Sequence, residues 1–400
     1  MCLVAALATI SILIHKSPLT VLLIAPPLSL YIHLPWCIRK CPYCDFNSHT
    51  GFTQDLEADY IHALLADLNT DLPRLQGRKP QTIFLGGGTP SLFSAKALNQ
   101  LLQAIARLFD LSLDDVEITL EANPGTFEQA KFADFRAIGI NRLSVGVQSF
   151  QDNRLTTLGR IHNGSTAYHA LEQAQQAGFT DINVDLMYGL SEQTVAEAMN
   201  DLTTALKTQP THLSWYQLTL EPNTVFYKRP PPLPHEDHLL AIEEHGKALL
   251  ADHGFHPYEI SAYTQSHPCQ HNLNYWLFGD YLGIGAGSHS KITDLDQQQI
   301  NRWHKRKQPK EYLSRDKPFI AQQQTITTEQ LSFEFMLNAL RLYQPIPFAL
   351  FESRTGLTHH QLQAPLTLAR QKSLVQFDAT QLTVTPLGHR YLNNLIELFL

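Results

Sequence analysis

The chain has 400 residues, of which 44% are hydrophobic and 17% charged, and its mean hydropathy is -0.17. That balance excludes a disordered, fibrous or many-span membrane protein and leaves room for more than one domain at about 100–200 residues each. Thirty basic against 37 acidic residues give a net charge of -7, so nucleic acid is not an expected partner, because its readers carry a basic balance over the binding domain.

The chain opens on an uncharged apolar run, LVAALATISILI at residues 3–14, followed by a second from Leu19 to Ala25. Each is shorter than the roughly 20 residues that span a bilayer. A secretory signal needs a basic stretch before its apolar core, and only Met1 and Cys2 precede this one. Residues 1–27 are therefore read as an extension created by an over-extended translational start, with a membrane-associating segment as the competing reading.

From Leu28 onward, short β-branched and aromatic runs alternate with helical stretches. Strands are expected at Leu28–Leu34, Thr82–Leu85, Val116–Glu121, Arg142–Val147, Ile182–Leu186 and Leu213–Leu218, with another candidate at His256–Ile260. Helices are expected at Gln54–Leu72, Ala95–Phe109, Glu128–Ile138, Thr166–Ala177, Glu192–Lys207 and Glu236–His253. Gly139 and Gly178 fall where helices should stop, and Lys228 to Pro234 reads as a stiff loop before the last of these helices. Six successive β-then-α units fit either an open doubly wound sheet or a full or partial barrel. Gly86 to Thr89, Glu121, Gln148, Asp185 and Thr219 sit at or just past successive strand ends, which converge on one mouth only in a barrel. The expected fold is α/β, a partial (β/α)6 TIM-like barrel over residues 28–265.

Past about residue 260 the βα rhythm is lost. Helices are expected at Glu329–Leu342, Pro347–Thr355 and His359–Gln371, then a strand pair at Leu374–Phe377 and Gln381–Thr385 and a last helix at Pro386–Phe399. Residues 266–400 are therefore assigned a smaller, helical and winged-helix-like C-terminal region. Arg302, Lys305, Arg306, Lys307 and Lys310 form a basic cluster that reads either as a solvated face or as a contact for an anionic lipid, phosphate or acidic partner.

Of the five cysteines, Cys37, Cys41 and Cys44 fall within eight residues just after the first strand, while Cys2 and Cys269 lie far away. An odd, clustered set is not a disulfide framework and points to a reducing compartment. Three thiolates spaced C-x3-C-x2-C on one loop can each bind one iron of a [4Fe–4S] cubane, leaving the fourth iron open to a small molecule. Arg39 and Lys40 are expected to lower the thiol pKa values. A zinc site completed by a distant His or Cys, or unligated thiols, are the competing readings; structural zinc prefers paired spacings, and no second pair is present.

The triad with Tyr43 before its last cysteine resembles the radical S-adenosylmethionine (SAM) superfamily, and Gly86-Gly87-Gly88-Thr89-Pro90 is similar to that superfamily's glycine-rich segment. More narrowly, residues 28–400 resemble the oxygen-independent coproporphyrinogen III oxidase-like family and its HemW-type haem-chaperone branch. The resemblance implies that Cys37, Cys41 and Cys44 hold the cluster, and that SAM binds its open iron. It further implies that SAM is held by Tyr31, Tyr43, Gly87, Gly88, Thr89, Glu121, Gln148, Arg160, Asp185 and Thr219. A carboxylate such as Glu121 or Asp185 suits ribose hydroxyls or an ammonium, and Arg160 suits a carboxylate.

Two features favour the chaperone branch. Coproporphyrinogen dehydrogenases resemble C-x3-C-x2-C-x-C, whereas Phe46 stands at the position of the extra thiol here. The segment His271-Asn272-Leu273-Asn274-Tyr275-Trp276 matches the H-N-x-x-Y-W motif of the haem-binding branch, which makes His271, Tyr275 and Trp276 candidate haem contacts. An ordinary packing segment has the same composition. The resemblance thus implies a haem chaperone with a [4Fe–4S] cluster, SAM and haem as its cofactors. It would act in the cytosol or at the periphery of the inner membrane, alone or as a homodimer, and deliver haem to apo-haemoproteins such as membrane respiratory enzymes. The dehydrogenase that decarboxylates coproporphyrinogen III is the alternative. No catalytic residue is assigned.

Overall fold

The computed structural model describes residues 21–125, 129–314 and 316–400; the apolar run at residues 3–14 and the expected helix start at Glu128 lie outside them. Six strands, β1 (Leu28–Leu34), β2 (Pro80–Gly87), β3 (Glu117–Ala122), β4 (Arg142–Gln148), β5 (Asp181–Tyr188) and β6 (His212–Gln217), lie parallel and side by side in chain order. Their Leu, Ile and Val side chains are buried on both faces, as parallel strands covered by helices require.

The covering helices are written in the local sequence. Ser94 caps Ala95–Phe109 by accepting from the Ala97 N–H at 3.1 Å, and Leu98, Leu101, Leu102, Ile105 and Phe109 form its buried stripe. Thr194 and Glu197 form a reciprocal capping box at the start of Val195–Lys207. The helix expected from Glu128 is described as Phe132–Ala137.

The sheet does not end at β6. Its full order is β12-β11-β10-β9-β1-β2-β3-β4-β5-β6-β8-β7, with β7 (His256–Glu259), β8 (Ala262–Thr264), β9 (Asp280–Ile284), β10 (His289–Asp294), β11 (Gln299–Lys305) and β12 (Ile320–Thr325). β9 joins β1 in parallel, while β10 to β12 and β7–β8 are antiparallel extensions. Among the described residues the two sheet edges do not pair, so the barrel is partial. Side chains from β2, β4, β5 and β6 nevertheless face one shared cavity.

The C-terminal region packs around its own apolar cluster, including Phe335, Phe351, Leu362 and Leu395. Three helices, Thr328–Ala339, Phe348–Thr355 and Gln363–Gln371, precede the hairpin β14 (Val375–Phe377) and β15 (Gln381–Val384), to which β13 (Ile346–Pro347) adds a third strand. This is the winged-helix-like arrangement expected. The last expected helix is instead two, Pro386–Arg390 and Leu392–Glu397, because Tyr391 (φ -108, ψ 40) leaves the helical region.

The basic cluster at residues 302–310 is not one face. In β11 alternate residues point to opposite sides, so Lys305 turns inward with Trp303 and is fully buried between Asp67 and Asp71. Arg302 pairs with Glu334, and Arg306 Nε donates to the Pro318 carbonyl at 2.9 Å. Only Lys307 and Lys310 of the five are exposed. Among the described residues, no helix is long and apolar enough to cross a membrane.

Candidate functional site

The loop after β1 is fastened on both sides. Cys37 N–H donates to the His49 carbonyl at 2.8 Å and His49 N–H to Pro35 at 2.7 Å, which closes residues 37–49 into a compact excursion. On its other side, Gly88 N–H donates to Leu34 at 2.9 Å and Thr89 N–H to Trp36 at 2.7 Å. The glycines permit this approach. Gly87 has φ +114, and a Cβ there would stand 2.4 Å from the His33 ring; one at Gly88 would stand 2.5 Å from the Trp36 carbonyl oxygen. The glycine segment is thus the seat of the cysteine loop.

Cys37, Cys41 and Cys44 are all free and line one wall of a cavity of about 580 Å³, within the usual range for ligand pockets. Tyr43, Gly87, Gly88, Thr89, Glu121, Gln148, Arg160, Asp185, Thr219 and Trp276 line it too. Tyr31, His271 and Tyr275 do not. Tyr31 sits behind the wall, its ring 6.2 Å from that of Phe84 and its hydroxyl 2.9 Å from His33 Nδ1. His271 is 1% exposed; its Nδ1 meets Thr82 Oγ1 at 2.7 Å and its Nε2 the Tyr275 hydroxyl at 3.2 Å. Both ring nitrogens are therefore engaged inside the protein. Burial pulls the His271 pKa down to about 3, so the ring is neutral.

A chain of hydrogen bonds joins two of the thiols. Thr89 Oγ1 donates to Cys37 Sγ at 3.5 Å and accepts from Asn123 Nδ2 at 2.8 Å. Asn123 Oδ1 accepts from Arg160 Nη2 at 2.6 Å, and Arg160 Nη1 reaches Cys41 Sγ at 3.8 Å. Sequence reasoning missed Asn123, although its place just past β3 in Glu-Ala-Asn-Pro was a usable signal. It also missed Tyr216, whose hydroxyl donates to Gln148 Oε1 at 2.7 Å. Gln148 itself has φ +71 beside a register shift in the β4–β5 pairing, a strained backbone of the kind that collects at functional sites.

Burial governs the titratable groups. It raises the thiol pKa of Cys37, against the Thr89 hydrogen bond, and that of Cys44, against the nearby Lys40 charge. The lowering expected from Lys40 is therefore outweighed at Cys44, and at Cys37 the lowering charge is Arg160 and not Arg39. Burial pushes Glu121 up to about 7 despite the Gly87 N–H, which donates to it at 3.0 Å. Asp185 is raised as well, although Ser144 and Asn183 donate to it.

These residues fit the group that the cysteine spacing implies. Among the described residues no three His, Cys, Asp or Glu side chains are grouped to hold a single ion. A cubane instead takes one thiolate per iron, so its ligands stand apart. Beside the thiols, Arg160 Nε is buried with no hydrogen-bond partner, a cationic donor left open for an acceptor.

The comparisons with known proteins agree with this geometry. The Radical SAM superfamily pattern matches residues 31–204 and the HemN C-terminal domain pattern residues 326–391. A protein of Haemophilus influenzae named "Heme chaperone HemW" is 47% identical over 380 residues, covering 94% of this chain and 98% of its own. Its Escherichia coli namesake is 45% identical over 376 residues, covering 94% and 98%. The solved structure of coproporphyrinogen III oxidase (HemN) from Escherichia coli, a radical SAM enzyme, matches with a TM-score of 0.80 over 94% of this chain and 90% of that one. At 24% identity that likeness shows the fold. With its cysteine loop, partial barrel and near-full-length relatives together, the chain belongs to the radical SAM superfamily and, within it, to the HemW family.

Proposed function

We propose that the protein is a haem chaperone that binds haem, carries a [4Fe–4S] cluster with SAM at the barrel mouth, and passes haem to apo-haemoproteins, membrane respiratory enzymes among them. The observation that carries this reading is Phe46, which is 59% exposed and lines the cavity two residues past Cys44. A phenyl ring there offers no ligand where the dehydrogenase pattern has a thiol. The names of the near-full-length relatives point the same way.

Cys37, Cys41 and Cys44 would hold the cluster as thiolates, and when bound it supplies an open iron and one-electron chemistry. The protein's own part is binding and orientation. Arg160, which lines the cavity, would present its guanidinium to a ligand carboxylate, and Glu121 and Asp185 would take ribose hydroxyls or an ammonium. Gly87, Gly88 and Thr89 fix the thiol loop from below, with Tyr31 behind them. Tyr43, Gln148 and Thr219 complete the lining. Of the three residues expected at haem, Trp276 is the one in the cavity. Cytosolic residence with delivery at the inner-membrane face, by a monomer or a homodimer, completes the proposal.

Anaerobic titration of the cluster-bearing protein with haem, followed by absorbance, should reach a saturable one-to-one end point. No saturable binding, with the cluster verified, would overturn the reading; carbon dioxide release from coproporphyrinogen III under reducing conditions would replace it with the dehydrogenase.

A further inference from the structure

The cavity does not stop at the cysteine mouth. Arg142 opens β4 and Gln148 ends it, so a lining that includes both extends about 20 Å along the strand. At the far end the lining is Arg142, Glu259, Trp276 and Arg341. Three donors there, Arg142 Nε, Trp276 Nε1 and Arg341 Nε, are buried without a hydrogen-bond partner. The Arg341 guanidinium lies 4.7 Å from the Trp276 ring centroid, which holds the cation in place. Arg142 is 3% exposed, and its Nε is 3.4 Å from Asp181 Oδ1 without hydrogen-bond geometry.

Buried donors are nearly always satisfied in folded proteins, so three unpaired ones on residues that line one end of the cavity mark a missing acceptor. Guanidinium groups match a planar carboxylate through paired N–H bonds. Asp181 and Glu259 stand beside the two arginines and balance their charge, so the place suits a single carboxylate matched by paired N–H bonds and not a dianion such as phosphate. An aromatic wall of Phe84 and Trp276 suits the apolar stem of the group that carries the acid.

We infer that this inner end is a carboxylate subsite that takes a propionate arm of a tetrapyrrole, an inference that rests on the haem reading above. Arg341 and Arg142 bind the acid, and the Trp276 N–H completes its hydrogen bonds.

The test compares anaerobic binding of haem and of haem dimethyl ester, whose propionates carry no charge, to the full-length cluster-bearing protein. The wild type should bind haem about tenfold or more tightly than the ester. Arg341→Met should bring haem affinity down to that of the ester and leave the ester unchanged, and Arg341→Lys should restore part of the difference. Equal wild-type affinity for haem and ester would overturn the subsite while leaving haem binding intact. Binding of neither would overturn the haem reading itself. The wild-type comparison stands even if a variant fails to fold.

Discussion

Arg160 reaches the sulfur of Cys41 at 3.8 Å with one guanidinium nitrogen while the other holds Asn123 Oδ1 and the Gly146 carbonyl, each at 2.6 Å. One side chain thus fastens the cysteine loop to the ends of β3 and β4, and its buried Nε is left without a hydrogen-bond partner. Arg160→Met should weaken SAM binding by about 1.5–3 kcal/mol, roughly tenfold to a hundredfold, with iron content retained. Arg160→Lys should not rescue it, because a point charge cannot make the forked contacts. Calorimetric titration with SAM, alongside iron and sulfide analysis, checks both.

Glu121 provides a pH signature. Burial raises its pKa to about 7, so its contribution to stability is full below the unfolded value near 4.5 and is lost as pH rises through about 7. A ligand held by its carboxylate needs the deprotonated form. SAM affinity should therefore rise between about pH 6 and 8, and Glu121→Gln should flatten that rise. An unchanged pH profile in the variant would remove Glu121 from the binding account.

The six parallel strands were legible because each is a short apolar-rich run between helical stretches, and strands such as Leu28–Leu34 and Arg142–Gln148 are buried along nearly their whole length. Strands β9 to β12 were not. Gly283-Ile284-Gly285-Ala286-Gly287 reads as a loop, and Ile320–Thr325 is a polar, exposed edge with no alternation to detect. The cysteine loop and glycine seat were legible as motifs. The direction of a side chain was not. Nothing local to the HNLNYW segment shows that His271 turns into the core against Thr82, nor that Lys305 is neutralised by Asp67 and Asp71 from a distant helix.

His271 should accordingly behave as a packing residue. His271→Ala is expected to leave the haem absorbance spectrum and stoichiometry unchanged while destabilising the fold by about 2–4 kcal/mol, from the cavity and the lost partner of Thr82. Loss of the haem spectrum at unchanged stability would instead make His271 a ligand.

Acid should unfold the protein early. Burial lowers the pKa of His33, His162 and His389 to about 4 and of His271 to about 3. These groups contribute stability that is full above the unfolded value of about 6.5 and is lost as pH falls toward about 4, where the unfolded chain binds more protons. Urea midpoints should drop steeply between about pH 6.5 and 4.5. A flat profile over that range would contradict the burial of these rings.

Gly87→Ala should damage the site without touching a ligand group. Its φ of +114 and the 2.4 Å approach to the His33 ring leave no space for a methyl, so the loop must move at a cost of about 1–3 kcal/mol. Reconstituted iron content should fall with it.

The most direct test of the central claim is delivery. Haem-loaded, cluster-bearing protein mixed anaerobically with the apo form of a membrane respiratory oxidase should lose its haem as the oxidase gains its absorbance spectrum and activity. Haem that remains on the protein, or an oxidase reconstituted no faster than by free haem, would contradict a chaperone role.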